Sequence, residues 1–163
     1  MSFNYARMKT PAGELALISD GESLLSVKFA GGSPPDSYSG QPLVDRPCLV
    51  LELAMKELAE YFRGRRRVFT VPYRLRGTPF QMKVWRELAL IPYGQTVSYG
   101  ELASRTGNPR ACRAVGQANN RNPLAIIIPC HRVTGKDGGL VGYGGGLDKK
   151  AWLLELEKNG PGE

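Results

Sequence analysis

The spacing of apolar positions changes character along the chain. Phe3 to Lys9, Glu14 to Ser19 and Ser23 to Phe29 are apolar-rich segments of strand length. Thr10-Pro11-Ala12-Gly13 and Asp20-Gly21 between them are turn sequences, so the first third predicts a three-stranded meander. Residues 30–45 are rich in glycine, proline and serine and predict a mobile loop. From Pro47 to Phe62 the apolar period becomes helical, with Val50, Leu53, Ala54, Leu58 and Phe62 on one face. The run Arg63-Gly64-Arg65-Arg66-Arg67 and a strand-like Val68 to Val71 complete this half, which reads as one small domain, residues 1–77.

The second half, residues 78–163, opens on a helix signal. Thr78-Pro79-Phe80-Gln81 supplies a threonine N-cap, a proline at the first helical position and a glutamine that can reach back, so a helix to Leu90 is expected, burying Phe80, Val84, Trp85 and Leu88. Pro92-Tyr93-Gly94 ends it, Thr96 and Val97 are extended, and Ser98-Tyr99-Gly100-Glu101 is a second capping box, opening a short helix to Arg105. After Thr106-Gly107, the pair Asn108-Pro109 predicts a helix from Arg110 to Asn119. Two short helices across a glycine turn are a helix-turn-helix candidate or an ordinary helix pair. Arg110, Arg113 and Arg121 stand among Ala111, Ala114, Gly116 and Ala118. Small residues admit a groove while arginines contact phosphate or the minor groove, and the same small residues would also suit tight packing on neighbouring helices. Asp148 is expected to cap a last helix, Lys149 to Lys158, stopped by Asn159-Gly160-Pro161.

Composition then bounds compartment and partners. With 163 residues and 42% hydrophobic content, the chain can bury a core in one domain or two. No leader-like or membrane-length apolar run is present, and the three cysteines, Cys48, Cys112 and Cys130, are scattered and odd in number. A cytoplasmic protein without disulfides is expected. Without a C-x-x-C or H-x-x-x-H clip, neither a metal nor another cofactor is expected. The net charge of +7 and pI near 9.5 favour phosphate-rich partners. The arginine run is either a nucleic-acid patch or a solvated flank.

Candidate chemistry concentrates at Ile126 to Val133, Ile-Ile-Ile-Pro-Cys-His-Arg-Val, read as an apolar extended run that stops at Pro129 and sets Cys130 beside the single histidine, His131. Cysteine attacks as the thiolate, whose ordinary pKa of about 8.5 falls beside a histidine, an arginine or a helix N-terminus. Arg132 adds a fixed positive charge. From these residues alone the pair is an activated nucleophile, or else a buried cysteine ending a core strand beside a surface histidine. The glycine-dense Gly138 to Gly146 lets backbone approach a ligand closely, but lacks the Gly-Lys-Ser/Thr of a phosphate loop. Glu157, four residues beyond Leu153, either shares that core-facing direction or lies on the surface, as lone glutamates usually do.

In order and spacing, Asn108-Pro109-Arg110-Ala111-Cys112-Arg113-Ala114-Val115-Gly116, then Asn122-Pro123, then Ile128-Pro129-Cys130-His131-Arg132-Val133, then Gly142-Tyr143-Gly144-Gly145-Gly146-Leu147 and Trp152-Leu153-Leu154 resemble the O6-alkylguanine-DNA alkyltransferases. The resemblance is close over residues 78–157; the first 77 residues are similar only in general character. It implies an α+β fold, with a small N-terminal ribonuclease-H-like β/α domain followed by a mostly helical C-terminal domain holding a winged-helix-like helix-turn-helix. It implies direct-reversal repair of duplex DNA by a protein consumed in one turnover. Cys130 would accept the alkyl group from guanine O6 as a thioether. His131 would deprotonate it through a water, Glu157 would orient His131, Asn122 would brace the turn, and Tyr99 would hydrogen-bond the purine. The carbonyls of Cys130 and Val133, Tyr143 and the N–H of Gly144 would bind the base. Adjacent residues of an extended chain point apart, which makes the bridging water the natural link.

The target base must leave the stack, and the resemblance places Arg113 in the gap, with Arg110, Ala111 and Ala114 against the minor groove. Asn119 stands where some relatives carry a methionine near the groove floor. The zinc site of some relatives lacks its ligands here. The expected partner is duplex DNA carrying alkylated guanine, with no membrane, and the protein is expected to be a monomer. Two other readings use the same residues. One is a DNA-lesion-binding module with an idle cysteine, and the other is a thiol hydrolase using Cys130, His131 and Glu157.

Overall fold

The structure is a computed structural model that describes residues 2–31 and 37–159. The chain divides into two units, one up to Leu75 and one from Arg76 onward.

In the first unit, β1 (Phe3–Thr10), β2 (Gly13–Ser19) and β3 (Leu24–Phe29) form the expected antiparallel meander. The segment read as loop adds two strands instead. β4 (Ser37–Tyr38) and β5 (Gln41–Val44) make a hairpin, and β5 runs parallel to β1 through Phe3↔Leu43 and Asn4↔Val44. The five-stranded order is β3-β2-β1-β5-β4. The serine and glycine that suggested disorder are the hairpin turn: Ser39 and Gly40 have φ of 49° and 77°, the left-handed pair a two-residue hairpin needs. Phe3 meets Tyr38 edge to face at 5.3 Å across that sheet. Residues 32–36 of the expected loop lie outside the described residues.

Helix α1 (Leu49–Phe62) packs on this sheet, burying Leu51, Ala54, Leu58 and Tyr61 against Leu15, Leu17, Leu24 and Val27. Val50, Ala54, Leu58 and Phe62 of the expected face are buried and Leu53 is half-buried, while Leu51, Glu57 and Tyr61 widen that face. Buried Glu57 on this face explains why Val68 to Val71 is not a strand. Its carboxylate accepts hydrogen bonds from Thr70 Oγ1 at 2.5 Å, Thr70 N at 2.9 Å and Val71 N at 3.0 Å, and pairs with Arg66 at 3.2 Å. Burial alone would raise this carboxyl, but those bonds and the Arg66 charge outweigh it and hold it below the usual range. The tether turns Arg66 inward and leaves Arg63, Arg65 and Arg67 exposed.

The second unit starts as its sequence indicates. α2 (Pro79–Ala89) has both halves of the capping box: Thr78 Oγ1 accepts from Gln81 N at 3.1 Å, and Gln81 Oε1 accepts from Thr78 N at 3.0 Å. Val84, Trp85 and Leu88 are buried, whereas Phe80 is half-buried. Ser98 Oγ accepts from Glu101 N at 3.0 Å and opens α3 (Tyr99–Arg105). α4 (Cys112–Asn120) begins later than expected, because Asn108 caps a separate turn: its side chain accepts from Arg110 N and its carbonyl from Ala111 N, each at 3.0 Å. Arg110 and Ala111 therefore precede the helix. Trp85 ties α2 to α4 by donating Nε1–H to the Ala118 carbonyl at 2.9 Å. β6 (Val97–Ser98) and β7 (Val133–Thr134) pair in parallel. α5 (Leu147–Asn159) takes Asp148 into its first turn, so this residue is not its cap. Gly160 and Pro161, the expected stop, lie outside the described residues.

Candidate active site

The three isoleucines before Cys130 do not form the extended run that their β-propensity predicts. Ile126 is left-handed, with φ of 72°, rare and strained for a β-branched residue. Around it, Ile127 N–H donates to Ala125 O at 2.8 Å and Ile128 N–H to Leu124 O at 2.9 Å, which makes a tight turn. Asn122 enforces this shape. Its Nδ2 donates to Ile128 O at 2.7 Å and its Oδ1 accepts from Leu124 N at 3.0 Å, so one buried side chain spans the turn. The chain then winds through a 3-10 turn, Cys130–Arg132, before entering β7. Neighbouring side chains diverge here because of the helical step and not, as expected, an extended pleat.

His131 and Arg132 turn to α5. His131 is 0% exposed, and its Nε2 lies 2.6 Å from Glu157 Oε2. Arg132 grips the same carboxylate with two bonds, Nε to Oε1 at 2.7 Å and Nη2 to Oε2 at 2.9 Å, and donates Nη1–H to Ile91 O at 2.7 Å. The fork geometry of guanidinium on carboxylate makes this a strong, directional pair. Arg132 Cζ also lies 5.6 Å from the centroid of the Tyr93 ring. Burial would raise the Glu157 carboxyl; the hydrogen bonds and charges of His131 and Arg132 outweigh it and hold it well below the usual carboxylate range. For His131 burial lowers the pKa, aided by the charges of Arg132 and Lys150, and Glu157 offsets only part of this. The imidazole is thus neutral at neutral pH. The positive charge of Arg132, expected beside the thiol, is instead engaged with Glu157.

Cys130 is 6% exposed, and burial pushes its thiol up. Asn122, the charge of Lys150 and the Tyr143 hydroxyl act in the opposite direction. Tyr143 is itself driven well above the ordinary phenol value, by burial first and then by the Cys130 sulfur. Tyr99 donates its hydroxyl to Val141 O at 2.9 Å, with Gly142 O at 3.3 Å, so its hydrogen-bonding group faces the glycine loop. Burial raises its pKa, an Asn119 hydrogen bond lowers it and Cys130 raises it again. The loop fits closely. A Cβ on Gly142, whose φ is 61°, would stand 3.1 Å from the Tyr99 hydroxyl, and one on Gly144 3.2 Å from Asn120 O.

Of the residues singled out from sequence, Asn122, Tyr143 and Tyr99 lie around the Cys130 sulfur, and His131, the next residue, bonds to Glu157. Val133 is buried in β7 beside Val97. On α4 the solvent face carries Arg113 and Ala114, with exposed Arg110 just before it, while Val115, Ala118 and Asn119 point inward. Exposure of Ala114 removes the helix-packing alternative for it. Asn119 corrects a reading: at 1% exposure it is not on a groove floor, and its Nδ2 donates to Cys130 O at 3.4 Å. Sequence reasoning missed Lys150 altogether. It is 0% exposed, and its spacing of three from Leu153 and seven from Glu157 was the available signal. Among the described residues no group of three or more His, Cys, Asp or Glu could hold a metal ion.

Residues 79–159 match the model of the 6-O-methylguanine DNA methyltransferase DNA-binding domain, and residues 4–75 that of the same proteins' ribonuclease-like domain. The chain belongs to this methyltransferase family. The methylated-DNA–protein-cysteine methyltransferase of Methanosarcina acetivorans is 47% identical over 94% of this chain and 97% of its own. The constitutive enzyme of that name from Bacillus subtilis is 41% identical over 94% of each chain. Crystal structures of the Mycobacterium tuberculosis O6-methylguanine methyltransferase superpose with a TM-score of 0.87 at 43% identity, covering 99% of this chain and 96% of that one. A structure of the M. tuberculosis protein in complex with DNA gives a TM-score of 0.86 at 42% identity, with the same coverage. Family membership accounts for the architecture expected above, a ribonuclease-like β/α unit followed by a helical DNA-binding unit.

Proposed function

We propose that this protein repairs duplex DNA by direct reversal, moving an alkyl group irreversibly from guanine O6 to Cys130. One observation carries the reading: a buried thiol stands beside a His131–Glu157 pair, in a unit whose α4 presents Arg113 and Ala114 to solvent. Nucleophilic displacement needs a thiolate, a place for its proton and a donor for the leaving base. His131, kept neutral, takes the Cys130 proton through a water, and Glu157 stabilises the resulting imidazolium. The thiolate attacks the alkyl carbon; the S–C bond forms as C–O6 breaks, and the electron pair stays on the purine, which takes up one proton. Tyr99, held on the carbonyls of Val141 and Gly142, must exchange that partner to donate to the purine. Val133, Tyr143 and Gly144 line the base site. The thioether left on Cys130 is not hydrolysed, so each molecule acts once.

A base can reach Cys130 only outside the stack, at a cost of a few kcal/mol. Arg113 fills the gap from the minor groove, and Arg110, Ala111 and Ala114 bring the chain against the phosphates and groove floor. Domain limits of 1–77 and 78–163 assign this chemistry to the second part. The protein works as a monomer in the cytoplasm, where its three free cysteines, Cys48, Cys112 and Cys130, stay reduced. The test is intact mass spectrometry, with peptide mapping, after incubation with a duplex oligonucleotide containing O6-methylguanine. The expected result is one methyl group on Cys130. An unmodified Cys130 beside a persisting lesion refutes alkyl transfer and leaves a lesion-binding module.

A further inference from the structure

The structure assigns Lys150 a part in this reaction: a positioning residue whose buried ammonium fixes the glycine loop beside Tyr99 and presents a positive charge to the Cys130 sulfur. The inference rests on the alkyl-transfer reading and deepens it. Lys150 is 0% exposed in the first half of α5. A buried ammonium is costly unless paired, and among the described residues no carboxylate pairs with it. Its Nζ donates to Val141 O at 2.8 Å and Gly142 O at 3.1 Å, the two carbonyls that also face the Tyr99 hydroxyl. The same Nζ lies 5.8 Å from the centroid of the Tyr99 ring. Lys150 and Tyr99 therefore hold one stretch of loop from two sides, and when Tyr99 turns to a purine the lysine still holds it.

The charge has a second use. Arg132 and Glu157 offset each other through their two-bonded pair, and His131 at rest is neutral, so these three residues add no net charge beside the thiol. Lys150 rests on neutral carbonyls and keeps its charge, and Gly142, which it holds, directly precedes Tyr143, whose hydroxyl bonds the Cys130 sulfur; the ammonium is thus fixed to the loop that reaches the thiol, where its sign favours a thiolate. The ionisable groups that its charge reaches are Cys130 and His131, with the Tyr99 ring against it and Arg132 and Glu157 behind the imidazole. Lys150 stays an ammonium throughout: the thiol proton goes to His131, and the electron pair leaves with the purine.

The test compares the intact wild-type protein with Lys150→Met and Lys150→Arg. Three readouts are taken: transfer from O6-methylguanine duplex, transfer from free O6-benzylguanine, and the pH dependence of Cys130 modification by iodoacetamide. Loss of one nearby charge shifts the iodoacetamide midpoint of Lys150→Met upward by about one pH unit. Transfer at neutral pH then falls about tenfold on both substrates alike, because the defect lies in the thiol and not in DNA binding. Lys150→Arg keeps the charge and the wild-type midpoint. A folded Lys150→Met with an unchanged midpoint overturns the proposal. If Lys150→Met does not melt cooperatively, the arginine variant decides, and a raised midpoint there is equally fatal. Should the wild-type protein fail to take a methyl group while the midpoint still shifts, the alkyl-transfer reading falls and the role of Lys150 at the thiol stands.

Discussion

Replacing Glu157 by glutamine keeps the side chain's shape and removes its charge. In the native structure the carboxylate is bonded to Arg132 Nε at 2.7 Å, Arg132 Nη2 at 2.9 Å, His131 Nε2 at 2.6 Å and Gly94 N at 3.2 Å. A glutamine offers one acceptor oxygen, and its NH₂ must face the N–H groups of Arg132 or His131. Arg132, 6% exposed, then keeps Ile91 O but has no counter-charge. Removing one partner of a buried ion pair costs about 3–5 kcal/mol. For a chain of this size each kcal/mol shifts the midpoint by about 2–4 °C, so Glu157→Gln melts about 6–20 °C below wild type. Urea unfolding followed by circular dichroism measures the loss, and a value under about 1 kcal/mol refutes the pairing argument. The companion variant Arg132→Met/Glu157→Leu separates charge from shape. An apolar pair of similar volume removes the isolated cation, so the double variant should be more stable than Glu157→Gln, yet remain slow in alkyl transfer because His131 has lost its carboxylate. A double variant no more stable than the single one contradicts the account.

Two further outcomes follow from the same geometry. Arg113→Ala should slow transfer from duplex by about tenfold or more while leaving free O6-benzylguanine nearly unaffected, since only the duplex demands an extruded base; equal losses on both would exclude a role in the stack. Acid should destabilise the protein. Burial keeps the folded His131 pKa below its unfolded value, and Glu157 is likewise depressed, so the unfolded chain binds more protons than the native one as pH falls. Stability is full above about pH 6.5 and declines below it, by at most about 1.4 kcal/mol per pH unit while His131 alone titrates. Denaturant midpoints that do not move between about pH 7 and pH 5 would count against a neutral buried imidazole.

Local signals carried much of this structure. Thr78, Pro79 and Gln81 started α2 where they stand, because capping depends on residues three apart. Ser98 did the same for α3. Other features depend on contacts far along the chain. The hairpin at residues 37–44 has strands too short to show a period, and parallel pairing with Phe3 and Asn4 completes it. Ile126 defies its own preference because Asn122 holds the turn on both sides. The site divides in the same way. Cys130 and His131 were visible as neighbours, and Glu157 as a residue in register with Leu153. That Arg132 takes up the charge of Glu157, that Asn119 points inward, and that a lysine is buried under the glycine loop depends on how α5 and α4 pack, which a one-dimensional pattern does not carry.

The position of α5 also bears on how the site opens and closes. His131 and Arg132 share one carboxylate, Glu157, and it lies on a helix that begins only at Leu147. Any fluctuation that lifts α5 strips both side chains of that partner in one step, so local unfolding of a single helix disassembles the flank of the thiol while the Asn122-braced turn before it stays formed.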